Sequence, residues 1–317
     1  MNRSTRHFAI AALTTFVLVG VFGYASADAS VSTNTAPQVS GTEGASPIEK
    51  ANQATAESEK STCETTVDRV VRTQNRSRLK GFCNRVSRLP TCSSTEGRPI
   101  QHADNGSVDA RGKRILVLGM IHGDEPLAGE MALEWAERLQ ALGSHRNAWR
   151  VVPMLNPDGL ERNTRMNAQG VDLNRNFPTK DWDHEALTFW NKTAKKDPRR
   201  FPGEKPASEV ETKCIISHIK DFKPDFIVSV HTPYKVLDFD GPKMGFPAYK
   251  DLPWRALGNF PGSLGRYMWK DYQIPVLTVE LGNTMVDAAK LQDIVGTFAI
   301  EAARRSGQKT AGMFEHM

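Results

Sequence analysis

The sequence predicts an α/β fold: a mixed, largely parallel, twisted sheet covered by helices on both faces. Three observations carry this. Arg114–His122, Asp225–His231 and Pro275–Glu280 are short apolar runs, long enough for buried strands and too short for spanning helices. Stretches with helical spacing alternate with these runs, and such alternation implies parallel strands joined by crossover helices. Each run also ends in a reactive side chain, His122, His231 or Glu280. The carboxyl ends of parallel strands are where open α/β sheets assemble their sites.

The elements follow in order. Ile115–Met120 reads as a buried strand. Pro126–Leu142 follows with Leu127, Met131, Leu133, Trp135, Ala136 and Leu139 at helical spacing, and Pro126 suits a first helical turn, where its missing N–H costs nothing. Trp149–Leu155 reads as the next strand. Ser208–Phe222 is an amphipathic helix with Val210, Cys214, Ile215, Ile219 and Phe222 turned inward, and Ser208 with Glu211 predicts a capping box. The strand ending at His231 follows directly, and Met285–Arg305 predicts the closing helix. There is no internal repeat.

At the N-terminus, Arg3 and Arg6 precede an uncharged, mostly apolar run from Phe8 to Tyr24, followed by Ala25-Ser26-Ala27. That pattern predicts a cleaved signal peptide over 1–27 and a periplasmic or secreted location; the alternative is an uncleaved anchor. No second stretch is apolar enough to span a membrane, so no span is expected after cleavage. Residues 28–61 lack aromatics and are rich in Ala, Ser, Thr and Glu, which predicts a flexible linker. A small cysteine-containing lobe is expected over 62–96, with one or two short helices, and the main α/β domain over 97–310. The formal net charge of +5 is mild, and with no recognition motif it gives no case for nucleic-acid binding.

The cysteines are Cys63, Cys83, Cys92 and Cys214. An oxidising compartment favours disulfides, and four cysteines allow three pairings. The short loop between them favours Cys83–Cys92. Cys214 reads as a buried apolar residue of its helix.

Two imidazoles and one carboxylate can fill three corners of a Zn²⁺ tetrahedron and leave the fourth for water. His122, Glu125 and His231 supply that set, with Glu280 positioned to act on the water. Gly123 is expected to permit the turn between the first two. The other histidines, including His102, His145, His184 and His218, fall in the leader, loops, polar helix faces or the tail and are poorer ligands. Asn156-Pro-Asp-Gly159 is a turn by its own chemistry. The segment after it, Thr164–Pro178, is dense in Arg and Asn. A guanidinium fork matches a carboxylate, so Arg175 with Asn174 can grip a terminal carboxylate, and Arg165 or Arg162 can stabilise an oxyanion. Val171, Leu173 and Phe177 anchor the segment against being a free polar loop. Lys195-Lys-Asp-Pro-Arg-Arg200 reads as a solvated loop.

These motifs together resemble the zinc metallocarboxypeptidases of the carboxypeptidase A type, and among them the murein peptide amidases and related periplasmic D,L-carboxypeptidases. The matching pieces are Gly119-Met-Ile-His-Gly-Asp-Glu-Pro126, Asn156-Pro-Asp-Gly159, Thr164-Arg-Met-Asn-Ala-Gln-Gly-Val-Asp-Leu-Asn-Arg-Asn-Phe-Pro-Thr179, Pro206-Ala-Ser-Glu209, Val228-Ser-Val-His-Thr-Pro233, Pro261-Gly-Ser-Leu-Gly265 and Pro275-Val-Leu-Thr-Val-Glu-Leu281. They occur in family order between about Gly97 and Arg305. The resemblance implies one Zn²⁺ per chain on His122, Glu125 and His231. It makes Glu280 the general base, Arg165 the oxyanion clamp, and Asn174 and Arg175 the carboxylate-binding pair, with Ser263 among the substrate-binding residues. Arg162 fits the digestive enzymes by spacing, and Arg165 fits the murein amidases.

The implied activity is a secreted peptidoglycan peptidase that cleaves the γ-D-Glu–meso-diaminopimelate bond of stem tripeptides. Asp238 and Asp240 are candidates for reading the additional ammonium of diaminopimelate. The rivals are a deacylase of the aspartoacylase or succinylglutamate desuccinylase type and a catalytically silent wall-binding module. A serine hydrolase is disfavoured, because no G-x-S-x-G elbow is present.

Overall fold

A computed structural model describes residues 47–107, 112–143, 146–307 and Phe314. The expected signal peptide and the first part of the expected linker lie outside the described residues. Six strands form one sheet: β1 (Ala103–Asn105), β2 (Arg114–Gly119), β3 (Ala148–Val152), β4 (Phe226–His231), β5 (Val236–Asp240) and β6 (Val276–Glu280). Their spatial order is β1-β3-β2-β4-β6-β5. The four central strands are parallel, and β1 and β5 run antiparallel at the two edges. The mixed, largely parallel sheet expected from the sequence is therefore the observed one.

Alternation along each central strand sends side chains to two cores. Ile115, Val117, Phe226, Val228 and Val279 join a core with helices α3 (Pro126–Leu142) and α7 (Ala288–Arg305). Leu116, Leu118, Ile227 and Val276 join a second core with Cys214, Ile215 and Ile219 of α6 (Val210–Phe222). Both faces being covered explains why these runs are continuously apolar rather than alternating.

Helix α1 (Pro47–Val70) begins inside the segment whose composition predicts a linker. That stretch is poor in aromatics but holds several Glu and Ala residues, which are strong helix formers. Its later turns find a surface: Cys63, Val67 and Val70 are buried in the core that also holds Met131, Leu133 and Trp135 of α3. The short helix α2 (Arg76–Leu79) follows, and Leu79 joins the same core. Residues 62–96 thus lie within one unit with the rest of 46–317.

The disulfides are Cys63–Cys83 and Cys92–Cys214, not Cys83–Cys92. Loop length alone misled the expectation: Cys63 and Cys83 meet because α1 folds back on the turn after α2, and Cys92 reaches α6 through the second core. The Ser208/Glu211 capping box does not form either. Glu209 is the N-cap residue of α6, and Glu211 is fully buried, where it receives Thr95 N at 2.8 Å and Asn167 Nδ2 at 3.0 Å. Val210 is correspondingly exposed rather than inward. His218, expected on a polar helix face, is buried against His102 with ring centroids 4.9 Å apart; burial, with His102 and Arg150 nearby, pushes its imidazole down to about 3. Among the described residues no helix is long and apolar enough to cross a membrane.

Candidate metal centre

Strands β2, β4 and β6 are consecutive in the sheet, so their carboxyl ends lie side by side. His122 follows β2 closely, His231 is the last residue of β4, and Glu280 is the last residue of β6. His231 pairs in register with Glu280, and Gly119 with Val230. Sheet adjacency thus gathers residues that are far apart in sequence. Gly123 serves by its lack of a side chain: a Cβ there would meet the carbonyl carbon of Gly159 at 2.1 Å. The close partner belongs to helix α4 (Pro157–Arg162), which starts where the sequence predicts a turn, with the Asn156 side chain capping Gly159 N at 2.9 Å.

Three donor atoms converge. His122 Nδ1 is 2.8 Å from Glu125 Oε1, His231 Nδ1 is 3.0 Å from Glu125 Oε2, and the two Nδ1 atoms are 3.2 Å apart. All three residues are buried. The opposite ring nitrogens have partners, His122 Nε2 with Asp172 Oδ1 at 3.2 Å and His231 Nε2 with Ser229 Oγ at 2.8 Å. An ionised Asp172 can only accept, so His122 carries a proton on Nε2, which leaves Nδ1 as the nitrogen offered to the cluster. A cation among the inner nitrogens and the carboxylate would take the place of any proton they share. A tetrahedron with arms of roughly 2 Å has edges of about 3.3 Å, close to the separations found here. Two imidazoles and a carboxylate, with their outer nitrogens held, are the donor set of a catalytic zinc site.

Asp172 was not singled out by the sequence. It is fully buried and also accepts Arg165 Nε at 3.0 Å, Arg165 Nη2 at 2.9 Å and Asn174 N at 3.0 Å. Burial pushes its carboxyl up, but Arg165 and His122 outweigh this and hold it far below the usual carboxylate range. Glu125 behaves alike: burial opposes ionisation, and the two imidazoles more than offset it. Glu280 differs. Burial raises its carboxyl above the ordinary value, with His231 opposing and Glu125 reinforcing, and its Oε2 receives Tyr234 N at 3.4 Å.

The structure separates the two arginines left open by the sequence. Arg165 Nη1 stands 3.1 Å from His122 Nδ1, at the donor cluster. Arg162 points away and pairs with Glu96. Arg175 lines the same cavity, nearly buried, with its guanidinium 4.6 Å over the Phe260 ring. Its Nη1 donates to Asn174 O at 2.7 Å, and its Nε has no partner among the described residues. Burial pushes this guanidinium down to about 10. Asn174 Oδ1 accepts Leu264 N at 2.9 Å, which leaves its NH₂ group to donate. Ser263 Oγ accepts from Phe260 N and Arg266 N at 3.2 and 3.3 Å and keeps its own proton to donate.

Every site residue named from the sequence other than Arg162 lines one cavity of about 630 Å³, Asp238 and Asp240 included. Burial, then Asp240, pushes the Asp238 carboxyl up to about 6, and burial raises Asp240 as well. Arg199, Arg200 and Tyr234 also line this cavity. Their signal in the sequence was weak, since Arg199 and Arg200 sit in a charge run that reads as solvent-facing and Tyr234 is a lone aromatic after Thr232-Pro233.

The profile of the zinc carboxypeptidase family matches residues 77–241. Murein peptide amidase A of Vibrio campbellii is 34% identical over 179 residues, which span 53% of this chain and 69% of the relative. Murein peptide amidase A of Escherichia coli K12 is 38% identical over 125 residues, 39% of this chain and half of the relative's length. The crystal structure of a murein-tripeptide amidase from Escherichia coli O157 superposes with a TM-score of 0.50 at 25% identity, covering 72% of this chain and 95% of that one. With this match joined to a donor set suited to zinc, the chain belongs to the zinc carboxypeptidase family and is a metal-dependent peptidase.

Proposed function

We propose that this chain is a secreted peptidoglycan peptidase that cleaves the γ-D-Glu–meso-diaminopimelate bond of stem tripeptides. The observation that carries the reading is the buried guanidinium of Arg175, unpaired at Nε, in the same cavity as the His122–Glu125–His231 cluster. A buried cation without a carboxylate is costly to maintain and marks a place for an anionic ligand. A substrate carboxylate held there by Arg175 and Asn174 puts the adjacent amide at the donor cluster, which is the geometry of exopeptidase cleavage. The names of the relatives point to murein peptides as the substrate class.

His122, Glu125 and His231 would hold one zinc ion, which would supply Lewis acidity to a water molecule and to the scissile carbonyl. Glu280 accepts the water proton and returns it to the leaving amine, and its raised carboxyl suits both steps. Arg165, held by Asp172, presents Nη1 to the oxyanion that forms on the scissile carbonyl. Ser263 donates to the departing residue. Asp238 and Asp240 receive the side-chain ammonium of diaminopimelate, and its charge relieves their mutual repulsion. Secretion is supported by the leader pattern and by two disulfides that leave no free cysteine among the described residues.

Mass spectrometry of tripeptide, tetrapeptide and pentapeptide muropeptides incubated with the zinc-loaded protein tests this reading. Loss of diaminopimelate from the tripeptide alone is expected, with none from Glu280→Ala. An intact tripeptide, or hydrolysis of an N-acyl aspartate in its place, rules the reading out.

A further inference from the structure

We infer that Arg199 is a specificity-determining residue that reads the free α-carboxylate of the γ-linked glutamyl residue on the acyl side of the scissile bond. This rests on the substrate class proposed above and adds to it a requirement for that second anion.

The sequence suggests a loose basic loop over Lys195–Arg200, but the structure pins it at both ends. Trp190 Nε1 donates to Asp197 O at 2.8 Å, Lys196 N donates to Trp190 O at 2.9 Å, and the rings of Trp190 and Phe201 meet with centroids 4.9 Å apart. Phe201 O then accepts Asp172 N at 2.8 Å, so the segment is tied to the residue that orients His122. Arg199 itself is held twice. Its carbonyl accepts Arg165 Nε at 3.1 Å, and its Nη2 donates to Asp124 Oδ2 at 2.7 Å.

Asp124 lies between the ligands His122 and Glu125, so the Arg199 side chain is turned over the ligand loop. Arg175, by contrast, feels the charge of Arg200. With the diaminopimelate carboxylate on Arg175 and the scissile carbonyl between Arg165 and the ligand cluster, the acyl residue extends past the ligand loop. In a γ-linkage the glutamyl α-carboxylate stands three carbon atoms from the scissile carbonyl carbon. An ordinary α-linked residue offers no anion there. One Nη of Arg199 is committed to Asp124, and the residue lines the same cavity, so its remaining donors are open to a ligand there. Arg199 remains about half exposed, so its effect is moderate rather than all-or-none.

The test compares L-Ala-γ-D-Glu-diaminopimelate with its α-amidated form, L-Ala-γ-D-isoglutaminyl-diaminopimelate, by kcat/KM in the zinc-loaded full chain. Wild type is expected to prefer the free carboxylate by about tenfold, and Arg199→Gln to bring the ratio close to one. Arg199→Lys, which keeps the charge but not the fork, is expected to fall between them. Parallel measurement of zinc content and thermal unfolding confirms that the variants are intact, and Arg200→Gln should keep the preference. Equal rates for the two peptides in wild type, or an unchanged preference in Arg199→Gln, overturn the inference while leaving the proposed hydrolysis in place. Cleavage of neither peptide overturns both.

Discussion

His231 and Glu280 face each other as register partners on the adjacent parallel strands β4 and β6. One is a metal-ligand candidate and the other the proposed proton carrier, so a single pair of backbone ladders sets their separation. Neither depends on a loop for its place. The site thereby inherits the rigidity of the sheet centre, which is what a constellation of this kind requires.

Glu280 can therefore be changed without disturbing the ligands. Glu280→Gln is expected to keep a full complement of zinc while lowering kcat by about a thousandfold, the order expected for removal of a general base. Metal analysis beside steady-state kinetics checks this. A variant that loses zinc along with activity would place Glu280 among the ligands instead.

Asp172 acts on His122 from behind. Asp172→Asn keeps the shape but allows the wrong imidazole tautomer and removes the counter-charge of Arg165. Zinc affinity should weaken by about ten- to a hundredfold, measured by competition with a chromophoric chelator. Unchanged affinity would mean that the 3.2 Å contact contributes nothing to ligand orientation.

Arg175 should be needed for substrates that end in a carboxylate and irrelevant to those that do not. Arg175→Lys retains a charge but loses the planar fork, so kcat/KM for the free acid should drop about a hundredfold. The corresponding C-terminal amide should show little change. An equal loss on both substrates would assign Arg175 a purely structural role.

The pH dependence follows from Asp238. Its folded carboxyl is raised to about 6, above an unfolded value near 3.8, so the folded state holds the extra proton between those limits. Its contribution to stability is thus fully present below about 4 and is lost as pH rises through about 6. Substrate recognition runs the other way, because only the ionised form attracts an ammonium. KM for the diaminopimelate peptide should fall as pH rises through about 6, and Asp238→Asn should flatten that limb. A wild-type KM that is level from pH 5 to about 7 would remove Asp238 from ammonium recognition.

Much of this was legible because catalytic sheets advertise themselves. The runs ending at His122, His231 and Glu280 are apolar for the same reason that they converge: they are central strands covered on both faces. What remained hidden depends on distance in three dimensions. Asp172 looked like one polar residue among many in Thr164–Pro178, and only burial against His122 and Arg165 distinguishes it. Glu211 has the spacing of a capping residue but is drawn inward by Asn167 and Thr95. Arg199 belongs to a charge run with no periodicity, and the Trp190 and Phe201 contacts that fix it cannot be read from spacing.

The two crosslinks differ in when they can close during synthesis. Cys63 and Cys83 are 20 residues apart, whereas Cys92 must wait for Cys214, 122 residues later. In a chain that emerges N-terminus first, Cys92 therefore meets Cys63 and Cys83 before its own partner exists. In an oxidising compartment, pairing of Cys92 with Cys63 or Cys83 would compete with the native bridges until Cys214 is available. Replacing Cys63 and Cys83 together would remove that competition and leave Cys92 only its native partner.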